Sequence, residues 1–246
     1  MKIRDRLSIR LIKNKKITGP TFVIGFQGVG LVGAMAAQHL ADHLKCELIG
    51  HIESEYLPPI AILDENSVTF PIRVYYNKQY NLVIISSEVP VSGEFAFEMS
   101  HDILELIKEF KAKRMFVLEG LVGRNEEEDR TKVYGVPTNE EMKKFLIKND
   151  VKIIKNGAIL GVAGSMLLMG VEYGISSCAL MAESHVEVPD ALAASSILKK
   201  LGEMLHIKID TEELEKKGTL IEKKIKKLLE TMKNYKTSED SKVLYG

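Results

Sequence analysis

A glycine-rich segment near the amino end of the chain is the clearest candidate for chemistry. Gly28, Gly30 and Gly33 form a G-x-G-x-x-G pattern between a short apolar strand and a stretch with helical spacing. In dinucleotide-binding proteins such a turn lets the backbone approach a pyrophosphate, and an acidic residue about 20 positions further on binds the ribose. Glu53 stands near the end of the next predicted strand and is the candidate for that acid. One hypothesis is therefore an enzyme that binds a nucleotide or nucleoside at this turn.

The alternative is a structural role for the same glycines. Glycine permits a sharp turn from strand to helix and close packing of that helix on the sheet. After Glu53 the chain runs through Glu55-Tyr-Leu-Pro-Pro59 into another extended segment, without the helix that a standard Rossmann half requires. We therefore favour the structural role and expect no bound cofactor.

No other group of residues has the spacing of a catalytic or metal site. The chain has no P-loop and no nucleophile elbow, and its six histidines are scattered without H-E-x-x-H spacing. His39 and His43 stand one helical turn apart, but no carboxylate accompanies them at ligand spacing. Several carboxylates lie near predicted strand or turn ends without forming a constellation: Glu88, Glu94, Glu119, Glu172 and Glu183. We expect a protein that is not an enzyme and holds no metal.

Composition excludes two classes of partner. The 246 residues contain 34 basic and 34 acidic side chains, so no overall field attracts nucleic acid or an anionic membrane. No apolar run approaches the ~20 residues that a membrane-spanning helix needs. Cys46 and Cys178 stand in apolar surroundings and are interpreted as buried free thiols of a reducing compartment. With no signal-peptide pattern at its start, the chain is expected to be cytoplasmic.

The last three residues, Leu244, Tyr245 and Gly246, resemble a docking plug. They follow a polar stretch, Lys236–Lys242, that has no reason to fold by itself. A tyrosine ring is large and stiff, and the terminal carboxylate can be captured by a lysine or by backbone N–H groups. We predict that residues 236–246 form a flexible tail that inserts into a pocket on another protein. The alternative is an ordinary frayed terminus.

A second unusual segment precedes this tail. Its apolar residues follow at steps of three, four and seven with Lys and Glu on the other faces, which is an a/d heptad pattern. The stripe consists of Leu214, Ile221, Ile225, Leu228, Met232 and Tyr235. We predict an oligomerisation helix over residues 209–235 that would gather several tails on one side. The alternative is a helix that packs on its own domain.

The remaining residues, 1–208, are predicted to form one α/β domain. Apolar strands such as Asn81–Ser86 alternate with helical stretches such as residues 94–110, which predicts a mainly parallel sheet covered on both faces. Thr138 with Glu141 predicts a capping box, and Asp190 after Pro189 predicts the start of a further helix.

Several segments of this domain resemble the archaeal proteasome-assembly-chaperone family. The resembling segments are Gly25-Phe-Gln-Gly-Val-Gly-Leu-Val-Gly33 with Ala36-Ala-Gln-His-Leu40, Gly157-Ala-Ile-Leu-Gly-Val-Ala-Gly-Ser-Met-Leu-Leu168, and Glu183-Ser-His-Val-Glu-Val-Pro-Asp190 with Ala193-Ala194. They fall within residues 20–206. The resemblance implies a nucleoside-phosphorylase-like, three-layer αβα fold, a homo-oligomer, and no established enzymatic activity.

The resemblance also implies a partner for the tail. Family members that dock on the 20S proteasome end in a hydrophobic residue, a tyrosine and any residue, and Leu244, Tyr245 and Gly246 match that pattern position by position. In such a tail the first two side chains enter a groove between adjacent α subunits of the ring, and the carboxylate meets a lysine. The sequence thus predicts a non-enzymatic proteasome assembly chaperone or cap.

Overall fold

A computed structural model describes residues 7–12, 16–54, 57, 59–64, 67–122, 131–184, 189–216 and 227. The strands are β1 (Leu7–Leu11), β2 (Thr21–Gly25), β3 (Glu47–Ser54), β4 (Ile62–Asp64), β5 (Ser67–Thr69), β6 (Ile72–Asn77), β7 (Leu82–Ser87), β8 (Arg114–Val122), β9 (Val133–Pro137), β10 (Lys152–Ile153) and β11 (Ser177–Ser184). The α-helices are α1 (Val32–His43), α2 (Ala96–Glu109), α3 (Glu140–Lys148), α4 (Gly161–Glu172) and α5 (Ala191–Leu205). Short 3-10 turns at Val29–Leu31 and Gly93–Phe95 lead into α1 and α2.

One large mixed sheet organises the chain. Its strand order is β1-β3-β6-β7-β2-β8-β11-β9-β10, and β4 and β5 form a separate hairpin. The central strands β7, β2, β8 and β11 are mutually parallel. The pair β9–β10 is also parallel, but β1–β3, β3–β6, β6–β7 and β11–β9 are antiparallel, so the sheet is half parallel and not mainly parallel as predicted. The tight turn between β6 and β7 leaves no room for the crossover that a parallel pair needs.

Helices cover both faces of this sheet, which confirms the predicted three-layer αβα architecture. One core lies between the sheet and helices α1 and α5, and contains Val23, Phe116 and Leu198. The other lies between the sheet and helices α2 and α4, and contains Phe22, Ile103 and Met166. Strand side chains alternate between these two cores, as the period of two in a strand requires. The central strands are therefore apolar on both faces.

The helix starts test the capping predictions. Asp190 caps α5 as predicted, since its Oδ1 accepts the Ala193 N–H at 3.0 Å. At α3 the cap is Asn139 and not Thr138, because the Asn139 carboxamide oxygen accepts the Met142 N–H at 2.8 Å. The Thr138 hydroxyl instead donates to the Ser177 carbonyl oxygen at 2.9 Å and ties this loop to β11.

The first turn of the predicted oligomerisation helix packs on its own domain. The Ser195 hydroxyl donates to Thr211 Oγ1 at 2.9 Å, and His39 Nε2 lies 2.8 Å from the Asp210 carbonyl oxygen. Leu214 is 1% exposed and belongs to the core beneath α1 and α5. Assigning Leu214 to an oligomer interface was therefore wrong, because its side chain is already covered within the monomer.

The other residues of that stripe lie outside the part of the chain that the structure describes. They are Ile221, Ile225, Leu228, Met232 and Tyr235. The docking residues Leu244, Tyr245 and Gly246 also lie outside it. Their roles, and the domain boundaries at residues 208 and 235, stay predictions.

Candidate functional site

The glycine-rich segment lies at the carboxyl edge of the central strands, where open α/β sheets commonly bind ligands. It leaves β2 next to the ends of β7 and β8 and turns sharply into α1. Gly30 and Leu31 have φ angles of 57° and 53°, so two successive residues adopt the left-handed backbone conformation. The Gly30 carbonyl oxygen accepts the Asp190 N–H at 2.9 Å, which links this turn to the start of α5.

A carboxylate of the protein itself occupies the turn. Glu119 Oε1, near the end of β8, accepts the N–H of Val29 at 3.1 Å and the N–H of Gly120 at 2.8 Å. A Cβ atom at Gly28 would overlap this carboxylate, so a larger residue there would force the Glu119 side chain to move. Burial raises the pKa of Glu119 from its ordinary value of 4.5 to about 7, and the two backbone hydrogen bonds oppose that rise. The backbone donor of Val29, which a phosphate would need, is thus already bound.

The last glycine of the pattern serves helix packing. A side chain at Gly33 would overlap the carbonyl oxygen of Leu118 on β8, so α1 can approach the sheet this closely only with glycine at that position. The glycines therefore support a turn and a close helix–sheet contact, which is the structural alternative that the sequence favoured.

The structure does not assemble the nucleotide site that combines Gly28, Gly30, Gly33 and Glu53. Glu53 lies on β3, and strands β6 and β7 separate β3 from β2. Its carboxylate is bound elsewhere, 2.5 Å from Arg10 Nε and 3.0 Å from His51 Nε2. The hydrogen bond from His51, aided by Arg10, holds the pKa of Glu53 below its usual range. That alternative site was wrong because strands adjacent in sequence are not adjacent in this sheet.

A buried ion pair lies beside the turn, and sequence inspection did not single out its arginine. Arg73 on β6 is 4% exposed and donates from Nη2 to the Glu88 carboxylate and, at 3.0 Å, to Gln38 Oε1 on α1. Gln27 Nε2 donates to the Glu88 carbonyl oxygen at 2.7 Å. A charge among the mostly apolar residues of the strand Ile72–Asn77 was the available signal. This network joins α1 to the loops after β2 and β7.

The remaining candidate residues do not converge on one point. Glu94 and Glu172 are exposed, and Glu183 accepts a hydrogen bond from the Tyr134 hydroxyl at 3.0 Å. The rings of His39 and His43 stack with their centres 5.9 Å apart. The Nε2 atom of His39 lies near the carbonyl oxygen of Asp210, and that of His43 lies near the carbonyl oxygen of Lys208. Among the described residues no three His, Cys, Asp or Glu side chains are grouped as metal ligands. The helices of the described ranges also include none with the length and apolarity to cross a bilayer.

Helix α4 presents an apolar surface to solvent. Leu168 and Val171 are 56% and 62% exposed and stand three residues apart on this helix, and Leu160, the residue before its first turn, is 83% exposed. Phe97 on the neighbouring helix α2 is also exposed. Exposed apolar clusters of this kind commonly mark contacts with another protein. We call these four residues the α2/α4 apolar surface.

Comparisons with known proteins agree with this fold. The model of the PAC2 family matches residues 22–229 and so extends beyond the predicted domain boundary at residue 208. An uncharacterized protein of Methanocaldococcus jannaschii is 30% identical over 217 residues, which cover 85% of this chain and 83% of that protein.

Two solved structures extend the comparison. The crystal structure of Pyrococcus furiosus PbaA, described as an archaeal homolog of proteasome-assembly chaperone, is 29% identical with a TM-score of 0.84. The match covers 93% of this chain and 99% of PbaA. Pyrococcus furiosus PbaB, described as an archaeal proteasome activator, is 23% identical with a TM-score of 0.75 over 91% of this chain and 98% of PbaB. At that identity the second match shows the shared fold alone.

Proposed function

This chain belongs to the PAC2 family, and from that premise we propose that it serves in proteasome assembly or activation and docks on the α-ring of a 20S core particle. The similarity to PbaA over nearly the whole of both chains is the observation that carries this proposal. Leu244, Tyr245 and Gly246 are the docking residues in this proposal. Their order matches the hydrophobic-Tyr-any pattern, and the terminal carboxylate can pair with a lysine of the groove.

The proposed partner contact is weak for one tail and strong for several. A three-residue plug buries little surface, and the seven residues Lys236–Lys242 span at most about 25 Å when extended. An oligomer that presents several tails gains avidity when their spacing matches the spacing of the ring grooves. The oligomer is therefore part of the proposal.

Two apolar features support self-association. One is the remaining heptad stripe, in which Ile225 and Leu228 stand at adjacent a and d positions. The other is the α2/α4 apolar surface, whose four side chains are exposed. Leu214, the first residue of the predicted stripe, is buried in its own domain and is not part of this proposed interface.

The contacts at the carboxyl edge of the central strands are consistent with a role that does not involve catalysis. The backbone donors at Val29 and Gly120 are bound to Glu119, and Arg73 is neutralised by Glu88. These contacts join loops and helices to one another.

The proposal is tested by comparing the intact chain with a chain that lacks residues 244–246. Archaeal 20S particles are incubated with each form, and the bound fraction is measured by native mass spectrometry. We expect the truncated form to lose binding and a Ser241→Ala variant in the preceding linker to retain it. Equal binding by the truncated and intact chains would refute docking through the tail.

A further inference from the structure

A cleft at the opposite, amino edge of the central strands is not used by the proposed function. It has a volume of about 430 Å³, which lies within the range of small-molecule sites. The first residues of β2, β7 and β8 form its floor, and the end of α5 with one residue of α3 forms its walls. The residues that line it are Gly19, Thr21, Tyr80, Asn81, Leu82, Lys113, Arg114, Phe145, Met204, Leu205, His206 and Ile207.

The polar lining of this cleft is basic. Lys113, Arg114 and His206 line it, and no Asp or Glu does. None of the three forms an ion pair with a residue in the described part of the chain, although acidic side chains are as numerous as basic ones in the whole sequence. The carboxyl end of α5 brings a partial negative charge of about half a unit toward the same space. The permanent charges of Lys113 and Arg114 exceed it, so the cleft favours an anion.

Arg114 is held in a position suited to a carboxylate. Its guanidinium carbon lies over the Phe145 ring, 4.8 Å from the ring centre. A cation–π contact uses no N–H donor of the guanidinium in a hydrogen bond, so these donors can serve a planar anion. Phe145 is packed in turn against the core beneath α5.

The cleft is preformed by hydrogen bonds between the loops that line it. The Lys113 N–H donates to the Pro20 carbonyl oxygen at 3.0 Å, and the Thr21 N–H donates to the Asn81 carbonyl oxygen at 3.0 Å. Asn81 Nδ2 also donates to the Gly19 carbonyl oxygen at 3.1 Å. Because these loops are tied to one another, a ligand would meet walls that need little reordering, which lowers the entropic cost of binding.

Apolar side chains form the rest of the lining. Tyr80, Phe145 and Leu205 are only partly buried, so part of each side chain faces the cleft. A bare inorganic anion would leave these surfaces in contact with water, whereas an apolar group attached to the anion would cover them.

We propose that this cleft binds a carboxylate that is carried on an apolar or aromatic body. Two sources share this chemistry. One is a free aromatic acid, and the other is the carboxyl terminus of a protein chain that ends in apolar residues, such as Leu244–Gly246 of this chain or of a second copy. The proposal does not depend on binding to a proteasome.

Isothermal titration calorimetry on the full chain tests this assignment with four probes. They are a peptide with the sequence of residues 242–246 and a free carboxylate, the same peptide with a terminal amide, 3-(4-hydroxyphenyl)propionate, and inorganic phosphate. We expect saturable binding of the peptide acid or of the aromatic acid, and binding at least about tenfold weaker for the amide and for phosphate. Binding of the peptide acid alone would identify a chain terminus as the source, and binding of the aromatic acid alone would identify a small molecule.

Two variants locate the binding. Lys113→Glu should weaken the better probe about tenfold or more, because it replaces an unpaired cation of the cleft with an anion. The matched control is Lys155→Glu, which makes the same charge change at an exposed residue that does not line the cleft. The proposal is overturned if neither acid binds saturably, if amide or phosphate binds as tightly as the acids, or if the two variants behave alike.

Discussion

The carboxylate inside the glycine-rich turn leads to a prediction about stability and pH. Glu119 is 9% exposed, and burial raises the pKa of its carboxyl from 4.5 to about 7 in the folded protein. The folded state therefore holds this proton more tightly than the unfolded state. The stabilisation is fully present below pH 4.5 and is lost as the pH rises to about 7. The difference corresponds to about 3 kcal/mol, since one pKa unit is worth about 1.4 kcal/mol.

The perturbation that isolates this effect is Glu119→Gln. The amide oxygen of glutamine can accept the same N–H groups of Val29 and Gly120, and the side chain cannot ionise. We expect the variant to match the wild type within about 1 kcal/mol at pH 5 and to be up to about 3 kcal/mol more stable at pH 8. Other carboxyls that titrate in this range cancel in the difference between the two proteins.

Guanidinium chloride unfolding of both proteins at pH 5 and pH 8 measures that difference. If the variant is less stable than the wild type at pH 8 and by the same amount at pH 5, the reasoning is refuted. That result would mean that the two backbone donors stabilise the ionised carboxylate enough to cancel the cost of burying it.

Three other expectations follow from the same structure. Gly28→Ala should lower the free energy of unfolding by about 2 kcal/mol because its Cβ overlaps the Glu119 carboxylate. Combining it with Glu119→Ala should recover part of that loss, and strictly additive losses in a double-mutant cycle would contradict the contact. Leu214→Ala should cost roughly 2–4 kcal/mol in a denaturant titration because the residue is buried in the core; a loss below about 0.5 kcal/mol would show that it lies elsewhere. Leu168→Lys with Val171→Lys should lower the oligomer mass seen in native mass spectrometry; an unchanged mass would exclude α4 from the interface.

Much of the layered architecture was predictable because it depends on local patterns. The apolar run near residues 81–86 predicted the buried strand β7, and the three- and four-residue spacing over residues 94–110 predicted α2. Asp190 was recognisable as a cap because a helix start needs an acceptor for its free N–H groups. These features require only neighbours in sequence.

The candidate site was less predictable because its contacts join distant parts of the chain. Glu119 meets Val29 across 90 positions, and Arg73 meets Gln38 across 35 positions. The pattern at Gly28–Gly33 is compatible with either a nucleotide turn or a packing turn, since both need glycine for close approach. The position of the Glu119 carboxylate inside the turn favours the packing turn.

The sequence by itself indicated strand β7, helices α2 and α5, and a sheet covered by helices on both faces. These properties depend on side-chain periodicity and on residue types that can be read in order. Only the tertiary structure decided the strand order, which separates Glu53 from the glycine-rich turn, and the burial of Leu214 in its own domain. It also revealed the basic cleft at the amino edge. Strand pairing and side-chain burial result from contacts between residues far apart in the chain, and no local pattern encodes which distant segment will be the neighbour.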